Sequence, residues 1–371
     1  MVEWKKLGDV CKTVSPPKKL EKELYGNVGL YPIIDQGQKE IVGFTDDLTA
    51  LLPYGEYVLF GDHTRFVKYY RGKFAQGADG LKILKANESI IPRYFFYVFD
   101  NTEVPSRGYS RHWSIAKQLL IPIPSLSEQQ RIVSILDTFT SSISNLKQQI
   151  EERRKQYEYE RDLLLDLEGK EGVEMKKLGE VGVFIRGNGI QKADFVEEGY
   201  SCIHYGQIHA RYGFSAKEAI SKIEESLYKK CKKAKTGDVI LATTSEDAEG
   251  VAKPFVWLGE EDVAVSGDAF IYHHNQIGKF MGYQFLTRKF MQFKVKYATG
   301  AKVVRISGDN MAKFEIPLPP LSTQSRIVSI LDTFEQSISN LEEQLAMREK
   351  QYEYYRNQLL TFEGEEERGK T

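Results

Sequence analysis

The stretch Ile121–Phe139, IPIPSLSEQQRIVSILDTF, returns at Ile316–Phe334 as IPLPPLSTQSRIVSILDTF. Working outward, Ile121–Gly169 aligns without gaps on Ile316–Gly364 at an offset of 195, with 32 of 49 positions identical. A match of that length and identity is a duplication. Pro122 and Pro124 in the first copy, and Pro317, Pro319 and Pro320 in the second, exclude helix upstream and mark where one begins. Ser127 and Ser322 then offer hydroxyls as N-caps. A 4-3-4-3 spacing of mostly apolar positions follows. It runs through Ile132, Leu136, Phe139, Ile143, Leu146, Ile150, Arg153, Tyr157, Glu160 and Leu164. In the second copy it runs through Ile327, Leu331, Phe334, Ile338, Leu341, Leu345, Arg348, Tyr352, Tyr355 and Leu359. A heptad seam sustained over about five heptads predicts a long helix built for a coiled coil. Gly169 and Gly364 suit helix stops.

A weaker match opens each half: Trp4–Val10, WKKLGDV, against Met175–Val181, MKKLGEV, offset by 171. The chain therefore reads as block, spacer, block, spacer. The expected fold is α+β, with two mixed α/β blocks (1–122 and 170–317), two spacer helices (123–169 and 318–364) and a disordered acidic tail (365–371). Helix one runs from the first block to the second and helix two starts at the second, so packing along their seams makes them antiparallel, with a pseudo-twofold relation between the halves. A helix of roughly 38 residues spans about 57 Å, and DNA repeats every 34–36 Å or so. Such a rod would present two readers to grooves about one turn apart. Arg153 and Arg348 hold equivalent seam positions, where they either snorkel at the rod edge or set register against carboxylates of the partner helix.

Composition sets the outer bounds. The 371 residues are 41% hydrophobic and 28% charged, as expected of ordinary soluble domains. No apolar run of about 18 residues predicts a membrane span, and the opening MVEWKK lacks a signal peptide's apolar core. Three scattered cysteines, Cys11, Cys202 and Cys231, fit a reducing cytoplasm rather than a disulfide framework. Net charge is −1, but it is unevenly placed: 1–124 carries +3 and 175–319 carries +4, while 125–174 and 320–371 carry −4 each. Mildly basic blocks suit a phosphate-bearing partner better than the total does.

These residues resemble a known family. Ile121–Asp137 and Ile316–Asp332 are similar to the repeated proline-to-helix junction of type I restriction-modification specificity subunits. The two block openings, Ile185–Phe195 (IRGNGIQKADF) and Cys202–Gly213 (CIHYGQIHARYG) resemble the same family. The resemblance implies that each block is a target recognition domain reading one half of a bipartite site on double-stranded DNA, with the helices setting the gap. It implies two methyltransferase (modification) subunits alongside, and restriction (translocase and nuclease) subunits where the full system is present. Adenine N6 methylation and cleavage belong to those partners. No cofactor is expected on this chain; S-adenosylmethionine, ATP and Mg are expected on the partner subunits.

Base reading needs donors and acceptors on loops that reach a groove. In the first block the candidates are His63, Thr64 and Arg65 after Gly61-Asp62, and Arg107, Tyr109, Ser110, Arg111 and His112. In the second they are Arg186, Asn188, Gln191 and Lys192 around Gly187 and Gly189, then Tyr205, Gln207, His209 and Arg211, then Thr243, Thr244 and Ser245, and finally Lys302 and Arg305. Lys229, Lys230, Lys232, Lys233 and Lys235 form a basic run that could clamp phosphates, or simply a solvated face. Tyr57–Phe60, Val239–Ala242 and Val263–Tyr272 (interrupted at Gly267-Asp268) read as strands. Arg93–Phe99 and Phe280–Phe293 read as aromatic helices facing a core. The chain has no GxxxxGKS or GxxxxGKT loop, no HExxH pair and no Cys/His ligand spacing, so neither ATP hydrolysis nor a metal site is expected. The competing reading is a coiled-coil scaffold carrying two heads for ligands other than DNA.

Overall fold

The computed structural model describes residues 2–108, 110–247, 249–300 and 303–362. They form two compact units, one of residues 1–148 with 342–371 and the other of 149–341. Each long helix therefore contributes to both units. The expected acidic tail and Gly364 lie outside the described residues.

The first unit contains β1 (Glu3–Lys6), β2 (Cys11–Val14), β3 (Tyr31–Ile34), β4 (Gly43–Thr45), β5 (Leu51–Gly61), β6 (Val67–Gln76), β7 (Leu81–Ala86), α1 (Pro92–Asp100), α2 (Trp113–Ala116) and β8 (Leu120–Ile123). It also holds the first part of α3 (Leu126–Leu165). Six strands pair in the order β2-β7-β5-β6-β3-β4. A register shift between Leu52 and Gly55, beside the Gly55–Gly72 pair, bends the long β5–β6 ribbon. Tyr57–Phe60 is buried in β5, as its apolar run predicts. Pro92 opens α1 with its ring at a position needing no N–H. Behind it Tyr94, Phe95, Tyr97, Val98 and Phe99 are buried against Phe60, Ile132 and Leu136. Each such side chain contributes about 1.5–3 kcal/mol on burial.

The second unit contains the rest of α3, β9 (Glu174–Lys177), α4 (Leu178–Val181), β10 (Gly182–Arg186), β11 (Phe195–Val196), β12 (Tyr200–Ile203), α5 (Tyr205–Ala210), β13 (Ser215–Ala216), β14 (Ser221–Ile223), α6 (Glu225–Lys230) and β15 (Lys233–Ala234). It continues with β16 (Val239–Ala242), β17 (Thr244–Ser245), β18 (Lys253–Trp257), β19 (Val263–Val265), β20 (Ala269–His274), α7 (Gly278–Gln284), α8 (Arg288–Tyr297), β21 (Val304–Arg305), α9 (Gly308–Met311), β22 (Glu315–Leu318) and the first part of α10 (Leu321–Leu360). Its main sheet has the order β10-β20-β16-β18-β13. That is the order β2-β7-β5-β6-β3 of the first unit, with the same three antiparallel pairings and the same parallel one at the end. The blocks share little sequence between their ends, yet they share this topology. The second unit adds a five-stranded sheet, β11-β14-β12-β19-β15.

The matching ends explain the repeated motifs. β1 pairs with β8, and β9 pairs with β22, so each block is closed by its own first and last strand. The N–H of Gly8 donates to Lys117 O at 2.9 Å, and that of Gly179 to Ala312 O at 3.0 Å. A Cβ on Gly8 would sit 3.0 Å from Lys117 O, and one on Gly179 3.1 Å from the Ala312 Cβ. The Lys-Leu-Gly openings thus place a wholly buried leucine, Leu7 or Leu178, beside a glycine that lets the end of the short helix before the closing strand approach.

Each long helix docks its block through one buried amide and one carboxylate. Gln129 is wholly buried; its Oε1 accepts from Ile91 N (2.8 Å), and its Nε2 donates to Ser89 O (3.1 Å) and Pro124 O (2.9 Å). Gln324 does the same with Ile277 N (3.3 Å), Pro319 O (2.9 Å) and Gln276 Oε1 (2.9 Å). Two turns on, Asp137 accepts from Arg93 Nε (2.7 Å) and Tyr97 Oη (2.6 Å). Asp332 accepts from Lys279 Nζ (2.8 Å) and Tyr283 Oη (3.0 Å).

The helices pack within each unit along the expected seam. In the first unit Phe139 stacks on Tyr355 at 5.3 Å and Lys147 pairs with Glu349 at 2.9 Å, an antiparallel sense. Each seam arginine lies over an aromatic face of the other helix, and Arg153 Nη1 also donates to Gln156 Oε1 (3.2 Å). Arg348 lies 5.6 Å from the Phe139 ring centre in the first unit, and Arg153 lies 6.0 Å from that of Phe334 in the second. Among the heptad positions Tyr355 is the exposed one, at 42%.

Three local expectations are corrected. The helices begin at Leu126 and Leu321, so Ser125, whose Oγ accepts from Glu128 N at 3.3 Å, caps the first; the second follows Pro320. Ser127 and Ser322 lie inside. The first helix ends at Leu165, and Gly169 takes its positive φ of 75° in the turn beyond. Phe280–Phe293 divides into α7 and α8 because the hydroxyl of Thr287 caps a new helix at Phe290 N.

Gln129→Leu should cost about 1–3 kcal/mol, since Ile91 N–H loses its acceptor and Ser89 and Pro124 carbonyls lose their donor. Exposed Gln130→Leu should stay within about 0.5 kcal/mol. Thermal unfolding of the two variants side by side tests this; equal midpoints would remove the junction's role.

Candidate nucleic-acid interface

In the first unit the two predicted stretches meet. β5 leaves the sheet at Gly61 and turns through Asp62, His63 and Thr64. Arg65 adopts φ 65°, held by its own N–H on Gly61 O (2.7 Å) and its Nη1 on Val104 O (2.9 Å). His63 N donates to Gln36 Oε1 (3.1 Å), and the Thr64 hydroxyl donates to Gln36 O. His112 joins the second stretch to this turn. It is wholly buried, its N–H donates to Asp62 O (2.8 Å), and its Nε2 accepts from Arg107 N (3.1 Å). Nδ1 must therefore carry the proton and donate to Asp62 O at 3.0 Å. His112 is thus a positioning residue, with both ring nitrogens engaged. Asp62 completes the tie by accepting from Trp113 N at 2.7 Å. Arg65, Arg107 and Arg111 are exposed, and the Ser110 hydroxyl is buried with no hydrogen-bond partner among the described residues. Tyr109 lies outside the described residues.

Sequence reading missed the rim of this cluster. Gln36 reaches Asp79 O through Nε2 (3.1 Å), and Lys19 pairs with Asp79 at 2.5 Å. Lys19 beside it holds the Asp79 carboxyl below the usual carboxylate range, and the charge of Arg111 adds to this. Gln36 stands beside Gly37 in a polar run and Lys19 beside Lys18, but their contacts with His63, Thr64 and Asp79 span 27 to 60 positions, a juxtaposition that local sequence does not show.

The second unit divides its predicted residues into two groups. Arg186, Gln191, Lys192 and Tyr205 line one open cleft of about 610 Å³ with His204 and Asp268. Arg186 Nε donates to Gly267 O (2.9 Å), and its guanidinium lies 3.9 Å from Asp268. Asn188 points inward instead, with Oδ1 accepting from Lys232 N (2.5 Å). A Cβ on Gly187 would meet Ser266 O at 2.3 Å, whereas Gly189 has open space, so only Gly189 offers free backbone approach. Gln207 is buried and structural: Oε1 accepts from His204 N (3.1 Å) and Nε2 donates to Ser221 Oγ (2.7 Å).

The other group gathers at the exit of β16. Thr244 pairs with Arg305 and Ser245 with Val304 in the β17–β21 ladder. His209 Nε2 contacts Thr244 O at 3.0 Å, and buried Thr243 donates its hydroxyl to Asp268 O at 3.3 Å. Arg211 and Arg305 are exposed, while Lys302 lies outside the described residues. Lys294, which sequence reading passed over, is buried beneath the following loop. Its Nζ donates to Glu249 O and, at 2.9 Å, to Val251 O, and burial pushes its pKa down to about 8. Within the lysine run Lys229 pairs with Glu225 at 2.8 Å and Lys233 lies over the Tyr228 ring at 4.7 Å, while Lys230, Lys232 and Lys235 are exposed.

The two units place these loops alike. Gly61 pairs with Leu81, and Asp62 N donates to Gly80 O (2.6 Å); Ala242 pairs with Ala269, and Thr243 N donates to Asp268 O (3.1 Å). In each unit the segment before the last short helix then folds onto this exit, through His112 in one and Val304-Arg305 in the other. The result in each is a hydrogen-bonded strand exit fringed by exposed arginines, Arg65, Arg107 and Arg111 in one and Arg211 and Arg305 in the other. That is the chemistry of base-edge and phosphate contact. Among the described residues no group of three His, Cys, Asp or Glu could hold a metal, and no helix is long and apolar enough to cross a membrane.

Two equivalent α/β heads on paired long helices, each with a donor-rich strand exit, define a class of tandem recognition protein. The type I restriction modification DNA specificity domain matches residues 1–153 and again 170–347, and the chain belongs to that family. It is 28% identical over 384 residues to the Escherichia coli type I restriction enzyme EcoR124I/EcoR124II specificity subunit, covering 97% of this chain and 94% of that one. It shares its fold with the solved type I restriction-modification S subunit from M. genitalium (TM-score 0.62, 15% identity, 98% and 97% covered). A chain from a structure of type I R-M complex assembly and conformational transition is also similar (TM-score 0.56, 18% identity, 97% and 96% covered). The chain is accordingly a non-catalytic specificity subunit, whose enzymatic activities reside on partner subunits.

The burial difference between neighbours makes a test. Arg111→Ala should leave thermal stability within about 0.5 kcal/mol yet weaken DNA binding, whereas His112→Ala should cost about 2–3 kcal/mol by cutting the tie to Asp62. Matched Tm and filter-binding measurements separate the two; a destabilised Arg111→Ala would reverse the assignment.

Proposed function

We propose that this chain reads a split DNA site, each recognition domain contacting one half, and that the paired helices set the gap between the halves. The observation carrying this reading is the repetition: one family domain matches both halves, and both place exposed donors at the same strand exit on unlike sequences. A shared scaffold with different loops is what two different half-sites require. The chain partners DNA and other subunits of a type I complex. We take these to be two methyltransferase subunits, which bring S-adenosylmethionine to adenine N6, and restriction subunits that use ATP and Mg. The cytoplasm is where such a complex meets its DNA. The scaffold alternative, with heads for other ligands, lacks any observation of its own.

Mapping methylated adenines in DNA from cells that express this chain with its modification partners should yield one bipartite motif. Exchanging residues 185–319 for those of a relative should change one half of that motif and leave the other. A motif that is undivided, or that changes in both halves, would overturn the reading.

A further inference from the structure

His204 lies in the Cys202–Gly213 stretch but is not among the candidate base-reading residues, and its surroundings are specific. It is 8% exposed at the base of the cleft formed by Arg186, Gln191, Lys192, Tyr205 and Asp268. Its Nδ1 accepts from Gly206 N at 3.1 Å, capping the helix that starts at Tyr205. An imidazole nitrogen that accepts is unprotonated, so the neutral ring carries its proton on Nε2. Burial, and then the charge of Lys192, hold its pKa below the ordinary value and keep the ring neutral. The ring is fixed as well as neutral. It lies 4.6 Å from the ring of Tyr205, edge-on to Phe195 at 6.1 Å, and its backbone N–H is held by Gln207. Among the described residues Nε2 has no hydrogen-bond partner, and the cleft is the open side of the ring. Nε2–H is thus a donor of fixed direction that faces the open cleft, where an acceptor on a ligand can take the place of solvent.

We propose that His204 is a specificity-determining residue of the second recognition domain, donating through Nε2–H to an acceptor on a base edge of its half-site. This rests on the DNA-reading function proposed above. The cleft mouth carries Arg186 and Lys192, exposed cations suited to phosphates, so the backbone can be held at the rim while a base edge faces the floor. A donor-only group at this position selects among bases. Purine N7, guanine O6 and thymine O4 accept, while cytosine offers only its amino donor in the major groove. The contacted base is therefore one of the acceptors and not cytosine.

The test uses the assembled modification complex and a library of all single-base variants of the wild-type site, read by competition binding. His204→Asn retains an acceptor for Gly206 N in its Oδ1, as asparagine does at helix N-caps, while its Nδ2 donor sits on Cγ, one bond short of the position from which Nε2 reaches into the cleft. His204→Ala removes both. His204→Asn should lower discrimination about tenfold at one position of the second half-site, with the first half-site and the Tm unchanged. His204→Ala should lower the same discrimination and the Tm together. An unaltered preference profile in His204→Asn, or a loss uniform across all sequences as for a phosphate contact, would overturn the proposal. If the wild-type complex showed no bipartite preference, the DNA-reading function itself would fail, a distinct result.

Discussion

A polar side chain buried without partners costs about 1–3 kcal/mol, and the attachment of each recognition domain to its long helix is built around that cost. Gln129 and Gln324 are both wholly buried, and each satisfies its amide only when helix, proline strand and domain loop stand in one arrangement. Apolar packing alone would let the aromatic helix slide against the seam, because it is non-directional. The amide removes that freedom, and the carboxylate two turns later fixes the rotation: Asp137 holds Arg93 and Tyr97, and Asp332 holds Lys279 and Tyr283. A reader whose loops must meet base edges within hydrogen-bond distance needs its mounting to be that definite.

Above the mounting the two domains diverge freely. Their main sheets have the same order and the same mixture of parallel and antiparallel pairings, so the strand exits fall at corresponding places. What occupies those exits differs. In the first unit a buried histidine ties two loops together around Asp62, while in the second a short ladder between Thr244-Ser245 and Val304-Arg305 does so. Some polar side chains hold the loops (His112 at the first exit, Asn188 and Gln207 beside the cleft of the second unit), and the exposed ones around them remain for a ligand. Position in sequence does not separate the two roles; burial and hydrogen bonding do.

The helices, the seam and the duplication were legible because each depends on short-range periodicity or on identity between two copies. Proline and a 4-3-4-3 apolar spacing mean the same thing in any context. The likeness of the two sheets was not legible. It resides in pairings between strands far apart in sequence, and apolar runs such as Tyr57–Phe60 and Val239–Ala242 signal burial without naming a neighbour. The candidate loops were found by glycine and donor content, which located the strand exits but could not tell Asn188, turned inward, from Gln191, exposed beside it. Gln36, Lys19 and Lys294 escaped because contacts between residues far apart in sequence give them their role, and His204 because its neighbours in sequence do not show its burial at the cleft floor.

The central claim is that two separately mounted heads each contact their own stretch of one duplex. Hydroxyl-radical footprinting of the assembled complex on its own site measures this most directly. Two protected patches separated by an unprotected gap are predicted, with Arg65→Ala weakening one patch and Arg186→Ala the other. One continuous patch, or either substitution weakening both patches equally, would contradict the account.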